Sequence, residues 1–295
     1  MVASTHRAGF INIVGKPNAG KSTLFNNLIA YPLSITSYKP QTTRQNIVGI
    51  AQGKDYQAIY IDTPGYLTPT YALQEVMQRN VNRALVESDL ILWVIDIRDD
   101  TADSFFNHHY AQAKAPILCL CNKTDLVLPN KLEETLGAWR KRIPTEIPLL
   151  PIMAKDLAQV AALTEKIMGK LPIHPPYYNK ETLTTRSERF FAAEIIRKAV
   201  FTYYKQEIPY SIEVVIDKFK EKPNVILLEA TIYVERPSQK SIVIGKKGAA
   251  LKIVGTKARQ GLVLFFKKNI YLTQHVKVLP RWRYHPKLLA QLGYQ

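Results

Sequence analysis

Gly15-Lys16-Pro17-Asn18-Ala19-Gly20-Lys21-Ser22 follows the apolar run 10–14 and leads into a stretch of helical spacing over 21–30. Strand, glycine-rich loop and helix in this order make Gly-x-x-x-x-Gly-Lys-Ser a phosphate-binding loop, where the tetrad alone could be a chance turn. Gly15 and Gly20 let the backbone wrap an anion. The N–H groups from Asn18 through Thr23, Ala19 included, gather at a helix N-terminus, where the helix dipole favours negative charge. Lys21 supplies charge to the β and γ oxygens, and Ser22 offers a hydroxyl to Mg²⁺.

Two further stretches fall where such a loop needs them. Asp62-Thr63-Pro64-Gly65 closes the apolar run 58–61. It brings a carboxylate to the metal and a glycine N–H that can sense a γ-phosphate. Asn122-Lys123-Thr124-Asp125 closes the run 117–121. Asp125 can accept from both N1–H and the exocyclic amine of guanine, an edge that adenine lacks, so GTP and GDP are the expected nucleotides.

Outward from these motifs, apolar runs at 10–14, 58–61, 90–95, 117–121 and 149–152 read as buried strands. They alternate with helical spacing at 21–30, 73–86, 104–113, 130–142 and 157–170. That alternation predicts a mainly parallel sheet with helices on both faces. Pro172, Pro175 and Pro176 cannot continue a helix, and residues 171–179 read as a linker. Beyond it the pattern becomes helix 186–205, strands 210–218 and 225–235 joined through Glu221-Lys222-Pro223-Asn224, a helix over 238–244, Gly245-Lys246-Lys247-Gly248, a helix from Ala249 and a strand over 270–279.

The charge of the 295 residues, +16, is unevenly spread. Residues 1–174 hold 18 Lys/Arg against 15 Asp/Glu, and residues 175–295 hold 22 against 9. From Arg236 to the end there are 13 Lys/Arg and no acid at all. A solvated face mixes both signs, so this stretch reads as a surface for a polyanion, nucleic acid or an anionic membrane. Two cysteines, Cys119 and Cys121, alternate along one apolar run and are too few for a disulfide framework or a zinc site. No apolar run is long enough to span a bilayer, so a soluble, cytoplasmic protein is expected.

The three nucleotide motifs in this order resemble those of the Era GTPases, bacterial and organellar proteins that bind ribosomal RNA. The Pro-Asn-Ala-Gly-Lys-Ser form of the loop, Gln41-Thr42-Thr43-Arg44, the late basic Gly-x-x-Gly, Val276-Lys277-Val278, Trp282-Arg283 and Leu292-Gly293-Tyr294 carry the resemblance over almost the whole chain. It implies an α/β phosphate-loop GTPase domain with a mainly parallel sheet over 1–174, a linker over 175–185, and a smaller α+β KH domain of type II over 186–295. Thr43, with Thr42 as the alternative, would be the switch threonine that joins Ser22 and Asp62 at Mg²⁺ when GTP is bound. Met153-Ala154-Lys155 stands where the family has Ser-Ala, and the backbone N–H of Ala154 is expected on guanine.

Tyr66 follows Gly65 where small signalling GTPases carry a water-orienting glutamine. Slow intrinsic turnover is therefore expected, with K⁺ near Asn18 as an assisting cation; a backbone-capping role for Asn18 is the alternative. Ile244, Gly245, Lys246, Lys247 and Gly248 would clamp about four nucleotides of single-stranded RNA, as KH loops do. Ile242, Ile244 and Leu251 would line an apolar groove for the bases or belong to the core. The resemblance implies a monomer whose partners are the 3′ region of small-subunit ribosomal RNA and the small subunit during its maturation. Two other readings stay open: an inert RNA adaptor that keeps GTP as a structural ligand, and a GTPase whose basic half contacts an anionic membrane peripherally.

Overall fold

A computed structural model describes residues 6–99, 110 and 113–294. The chain forms two compact units, Met1–Pro69 with Met77–Thr185, and Thr70–Val76 with Arg186–Gln295.

The first unit is built on β1 (Arg7–Val14), α1 (Lys21–Ile29), β2 (Ile47–Gln52), β3 (Tyr56–Asp62), α2 (Ala72–Val86) from Met77 onward, β4 (Leu90–Asp96), β5 (Ile117–Asn122), α3 (Pro129–Arg140), β6 (Leu149–Ile152) and α4 (Leu157–Met168). The sheet order is β2-β3-β1-β4-β5-β6, and every neighbouring pair is parallel except β2 with β3. A parallel pair needs a long crossover, whereas β2 returns into β3 through a short turn closed by Gly53 N–H to Tyr56 O at 2.9 Å. The sequence reading did not single out β2. Its Gly49 interrupts the apolar pattern because a Cβ there would lie 2.8 Å from Phe25 and Ile29 of α1. From Leu90 to Val94, β4 is fully buried, as a strand covered on both faces must be. Cys119 and Cys121 share one face of β5, in a cluster with Trp93, Leu136 and Trp139. The helix expected over 104–113 lies outside the described residues, apart from Tyr110 and Ala113.

Residues 171–179, read as a linker from their prolines, and 175–185, the linker that the resemblance implies, are hydrogen-bonded along the first unit. Ala8 N–H donates to Pro172 O at 3.1 Å, Ile50 N–H to Leu183 O at 2.8 Å and the Thr184 hydroxyl to Val48 O at 2.6 Å. Fully buried Gln57 accepts from Tyr177 and Tyr178 N–H and donates to Tyr178 O. Prolines lack the N–H but keep the carbonyl, so a proline-rich segment can still be tied down as an acceptor.

In the second unit, α5 (Glu188–Tyr203) precedes a one-turn helix α6 (Ile208–Ser211), β7 (Glu213–Lys222), β8 (Val225–Val234), α7 (Pro237–Ile244), α8 (Ala249–Phe266), β9 (Asn269–Val278) and α9 (Pro286–Gln291). The strand expected from residue 210 starts at Glu213 instead, because Pro209 favours the first turn of a helix. The sheet order is β7-β8-β9, antiparallel then parallel. Ile196 and Val200 of α5 and Val254, Ala258 and Leu262 of α8 bury one face of that sheet, against Ile226, Leu228 and Ile232. The tail is anchored by Trp282, whose ring N–H donates to Ser211 O at 3.0 Å, and by Tyr294, whose hydroxyl donates to Glu213 at 2.6 Å. The two rings stack at 6.3 Å.

Candidate functional site

The phosphate loop turns from β1 into α1 through Gly20, at φ 103°. A Cβ there would sit 2.1 Å from the Asn122 amide nitrogen, so only glycine fits between the two motifs. Lys21 is buried, and its ammonium donates to Gly15 O at 3.0 Å and Lys16 O at 2.9 Å, folding the loop around itself. Burial lowers its pKa to about 8 against the opposing pull of Asp62. Both carbonyls can yield to phosphate oxygens without moving the backbone.

Asp62, at the end of β3, has no exposed surface. Its Oδ2 accepts from Ser22 at 2.7 Å, Ser34 at 2.6 Å and Thr43 at 3.3 Å, and Ser22 and Thr43 hydroxyls lie 3.1 Å apart. Burial raises its pKa, and the hydrogen bonds from these hydroxyls and the charge of Lys21 work against that. Among the described residues Oδ1 has no partner. A buried carboxylate with an unused oxygen beside two hydroxyls is the donor set a hard divalent cation takes. The Thr42 hydroxyl donates elsewhere, to Lys39 O at 2.7 Å. The Gly65 backbone faces the loop so closely that a Cβ would stand 2.7 Å from Pro17 N.

The base end is organised by Asn122. Its amide donates to Ala19 O at 2.8 Å and accepts from Ala154 N–H at 2.9 Å, which joins the phosphate loop to the turn after β6. The Ala154 N–H, expected on guanine, is therefore spent on Asn122 here. Met153 N–H is held by Gln159 at 2.8 Å. Asp125 is exposed on a short turn, Thr124–Leu126, and lines with Lys123, Met153, Ala154 and Lys155 the same cleft as Lys21, Ser22 and Thr43. That cleft has a volume of about 1020 Å³.

Asp96 was not legible as a site residue. It pairs in register with Asn122, and its Oδ2 binds both the Lys123 ammonium at 2.7 Å and the Arg98 guanidinium at 2.8 Å. Burial raises its pKa, but those bonds outweigh it and set it at about 2. Its signal was positional: a charged residue ending a central parallel strand points to the ligand edge of such a sheet. Asn18 donates from its side-chain amide to Tyr38 O at 2.9 Å, and its backbone carbonyl accepts from the Lys123 ammonium. Tyr66 is turned into the core, 6% exposed and 5.9 Å from the Trp93 ring.

In the second unit, Gly245 and Gly248 take φ 72° and 79°, and the short turn Lys246–Gly248 links α7 to α8. Lys246 and Lys247 are exposed at its tip, followed on α8 by exposed Lys252, Lys257 and Arg259. Ile242 is exposed beside them, whereas Ile244 and Leu251 rest against the core.

Residues 10–123 match the family of 50S ribosome-binding GTPases, and residues 207–283 match the KH domain. Over 291 residues the chain is 39% identical to GTPase Era of Heliobacterium modesticaldum, covering 98% of this chain and 97% of that protein. The chain belongs to the GTPase Era family. Era of Leuconostoc citreum is 38% identical over 298 residues, covering 100% of this chain and 98% of its own. Among solved structures, an Era in complex with MgGDPNP and nucleotides 1506–1542 of 16S ribosomal RNA matches with a TM-score of 0.93 at 33% identity, over 98% of this chain and 99% of that one. An Aquifex aeolicus Era bound to GDP·AlF₄⁻ matches with a TM-score of 0.92, also at 33% identity, with the same coverage. Fold and activity thus follow the Era pattern, a GTPase unit and a KH unit on one chain. Among the described residues no helix is long and apolar enough to cross a membrane.

Proposed function

We propose that this Era GTPase binds GTP and GDP with Mg²⁺ in the cleft, hydrolyses GTP slowly, and holds the 3′ region of small-subunit ribosomal RNA through its KH unit while that subunit is assembled. The observation that carries the nucleotide half is the convergence of Ser22, Thr43 and Asp62, with one carboxylate oxygen buried and unused among the described residues. The RNA half is supported by the solved relative bound to 16S ribosomal RNA nucleotides, whose fold this chain shares at a TM-score of 0.93.

In this reading residues 1–174 do the chemistry, 175–185 connect, and 186–295 bind RNA. Ser22 and Thr43 hold the metal directly and Asp62 supports it through water. Lys21 and the loop N–H groups neutralise and orient the phosphates, Gly65 senses the γ-phosphate, and Asp125 reads guanine with Lys123 and the Met153-Ala154-Lys155 turn beside it. Bound Mg²⁺ supplies positive charge where the transferred phosphoryl group and its leaving oxygen become more negative. The protein works as a cytoplasmic monomer, and its basic half can rest peripherally on an anionic membrane. GTP hydrolysis measured with and without RNA ending in the mature 3′ sequence tests both halves. No hydrolysis in either condition favours the inert adaptor, and binding to anionic liposomes in place of RNA favours the membrane reading.

Thr43→Ala is expected to leave GDP affinity unchanged and to weaken GTP-dependent switching, because the hydroxyl is needed only where a γ-phosphate and metal recruit the loop. Titration of both nucleotides against the variant checks this; equal losses would make Thr43 a structural residue. Tyr66→Phe is expected to be nearly silent in turnover, since the ring is packed in the core. Replacing K⁺ by Na⁺ is expected to slow hydrolysis if a cation near Asn18 orients the water. A large loss on Tyr66→Phe with no cation effect assigns the role to the hydroxyl instead.

A further inference from the structure

The three hydroxyls on Asp62 Oδ2 are not equivalent. Ser22 and Thr43 are the two that the Mg²⁺ reading above assigns to the metal, Thr43 only when GTP is bound, so each must turn a lone pair to the cation and readjust its bond to the carboxylate. Ser34 has no such second task. It is 4% exposed, and its backbone is clasped on both sides by the Asn26 amide, which donates to Ser34 O at 2.9 Å and accepts from Ser34 N–H at 2.8 Å. Asn26 belongs to α1, one turn beyond Ser22, so the clasp is carried by the same rigid helix that presents the Ser22 hydroxyl. The serine hydroxyl then reaches Asp62 at 2.6 Å across 28 residues of sequence.

We infer that Ser34 is a positioning residue for the metal centre: clasped by Asn26, it keeps a fixed donor on Asp62 Oδ2 and leaves Oδ1 as the oxygen available to the cation. The inference rests on the Mg²⁺ reading and deepens it. A carboxylate that supports a metal through water must keep its orientation while the other two donors readjust to the cation, and a donor whose backbone is held independently serves that end. Hydrogen bonds behind a direct ligand typically change metal affinity tenfold to a hundredfold when removed, and behind a carboxylate that acts through water the lower end is expected. The plainer alternative is that Ser34 merely satisfies a buried carboxylate. In that case its loss would affect folding and leave the metal dependence alone.

The test is release of a fluorescent GDP from the full chain, followed across a Mg²⁺ titration and in excess EDTA. In Ser34→Ala the Mg²⁺ concentration that half-maximally slows release is expected to rise about tenfold, with release in EDTA unchanged. Ser34→Thr, which keeps the hydroxyl, should restore the native midpoint. If Ser34→Ala does not fold, Asn26→Ala replaces it: the hydroxyl stays, its support is lost, and the midpoint should shift in the same direction. An unmoved midpoint in the variant that folds, or release in EDTA accelerated as much as release in Mg²⁺, overturns the inference. If release from the native chain ignores Mg²⁺ altogether, the metal reading itself has failed and the role of Ser34 falls with it.

Discussion

Replacing Asp125 by Asn is expected to weaken GTP binding about a hundredfold and to strengthen xanthosine triphosphate in its place, a change of about 2.7 kcal/mol. Guanine presents two donors on one edge, N1–H and the exocyclic amine, and a carboxylate accepts both. An amide accepts one and meets the second donor with a donor of its own, which leaves two polar groups unpaired at about 1–3 kcal/mol. Xanthine has a carbonyl where guanine has the amine, so the Asn amide gains a partner. The substitution should act locally: Asp125 stands exposed on the Thr124–Leu126 turn, whereas the scaffold of the base site is Asn122, buried between Ala19 and Ala154. Competition of the two triphosphates against labelled GDP measures the effect. An unaltered preference would take the base contact away from Asp125.

Replacing both Lys246 and Lys247 by Asp is expected to weaken RNA binding more than about a hundredfold and leave basal GTP hydrolysis near native. Each charged hydrogen bond to phosphate contributes about 1.5–3 kcal/mol, so losing two costs at least about 3 kcal/mol, more than a hundredfold, before repulsion is counted. The slope of log affinity against log salt should fall by about 1.4, at about 0.7 per phosphate contact for single strands. Gly245 and Gly248 are untouched, both lysines are exposed, and Lys247, itself at φ 50°, is replaced by a residue type that enters the left-handed region more readily than most, so the turn should keep its shape. Lys21, Ser22 and Asp62 belong to the other compact unit. Any stimulation of hydrolysis by RNA should vanish with binding. The readout is one RNA titration at two salt concentrations and one GTPase rate with and without RNA. Retained affinity would place the RNA surface elsewhere on the basic stretch.

The phosphate loop, the Asp-x-x-Gly and Asn-Lys-x-Asp turns and the Gly-x-x-Gly loop were legible in the sequence because each is local. A few consecutive residues must supply backbone N–H groups, a positive φ or a short side chain at fixed offsets, and the flanking apolar runs announce the strand or helix that presents them. The same locality made most strands and helices readable to within a few residues. What the sequence did not disclose depends on residues that meet only after folding. Ser34 reaches Asp62 across 28 positions and nothing in the local pattern distinguishes it from an ordinary polar residue, while Asp96, which reaches Lys123 across 27, has only its place at the end of an apolar run to mark it. Residues 171–179 read as a semi-rigid linker by their prolines, yet buried Gln57 binds Tyr177 in it from 120 residues upstream. Trp282 and Tyr294 were visible as family marks, but their work, closing the tail onto Ser211 and Glu213, follows from packing across 71 and 81 residues. Local chemistry is written in spacing. Which oxygen of Asp62 is left open, and what holds the other, is decided only when β3, α1 and the loop after it are brought together, because hydrogen-bond partners remote in sequence are selected by the fold and not by their neighbours.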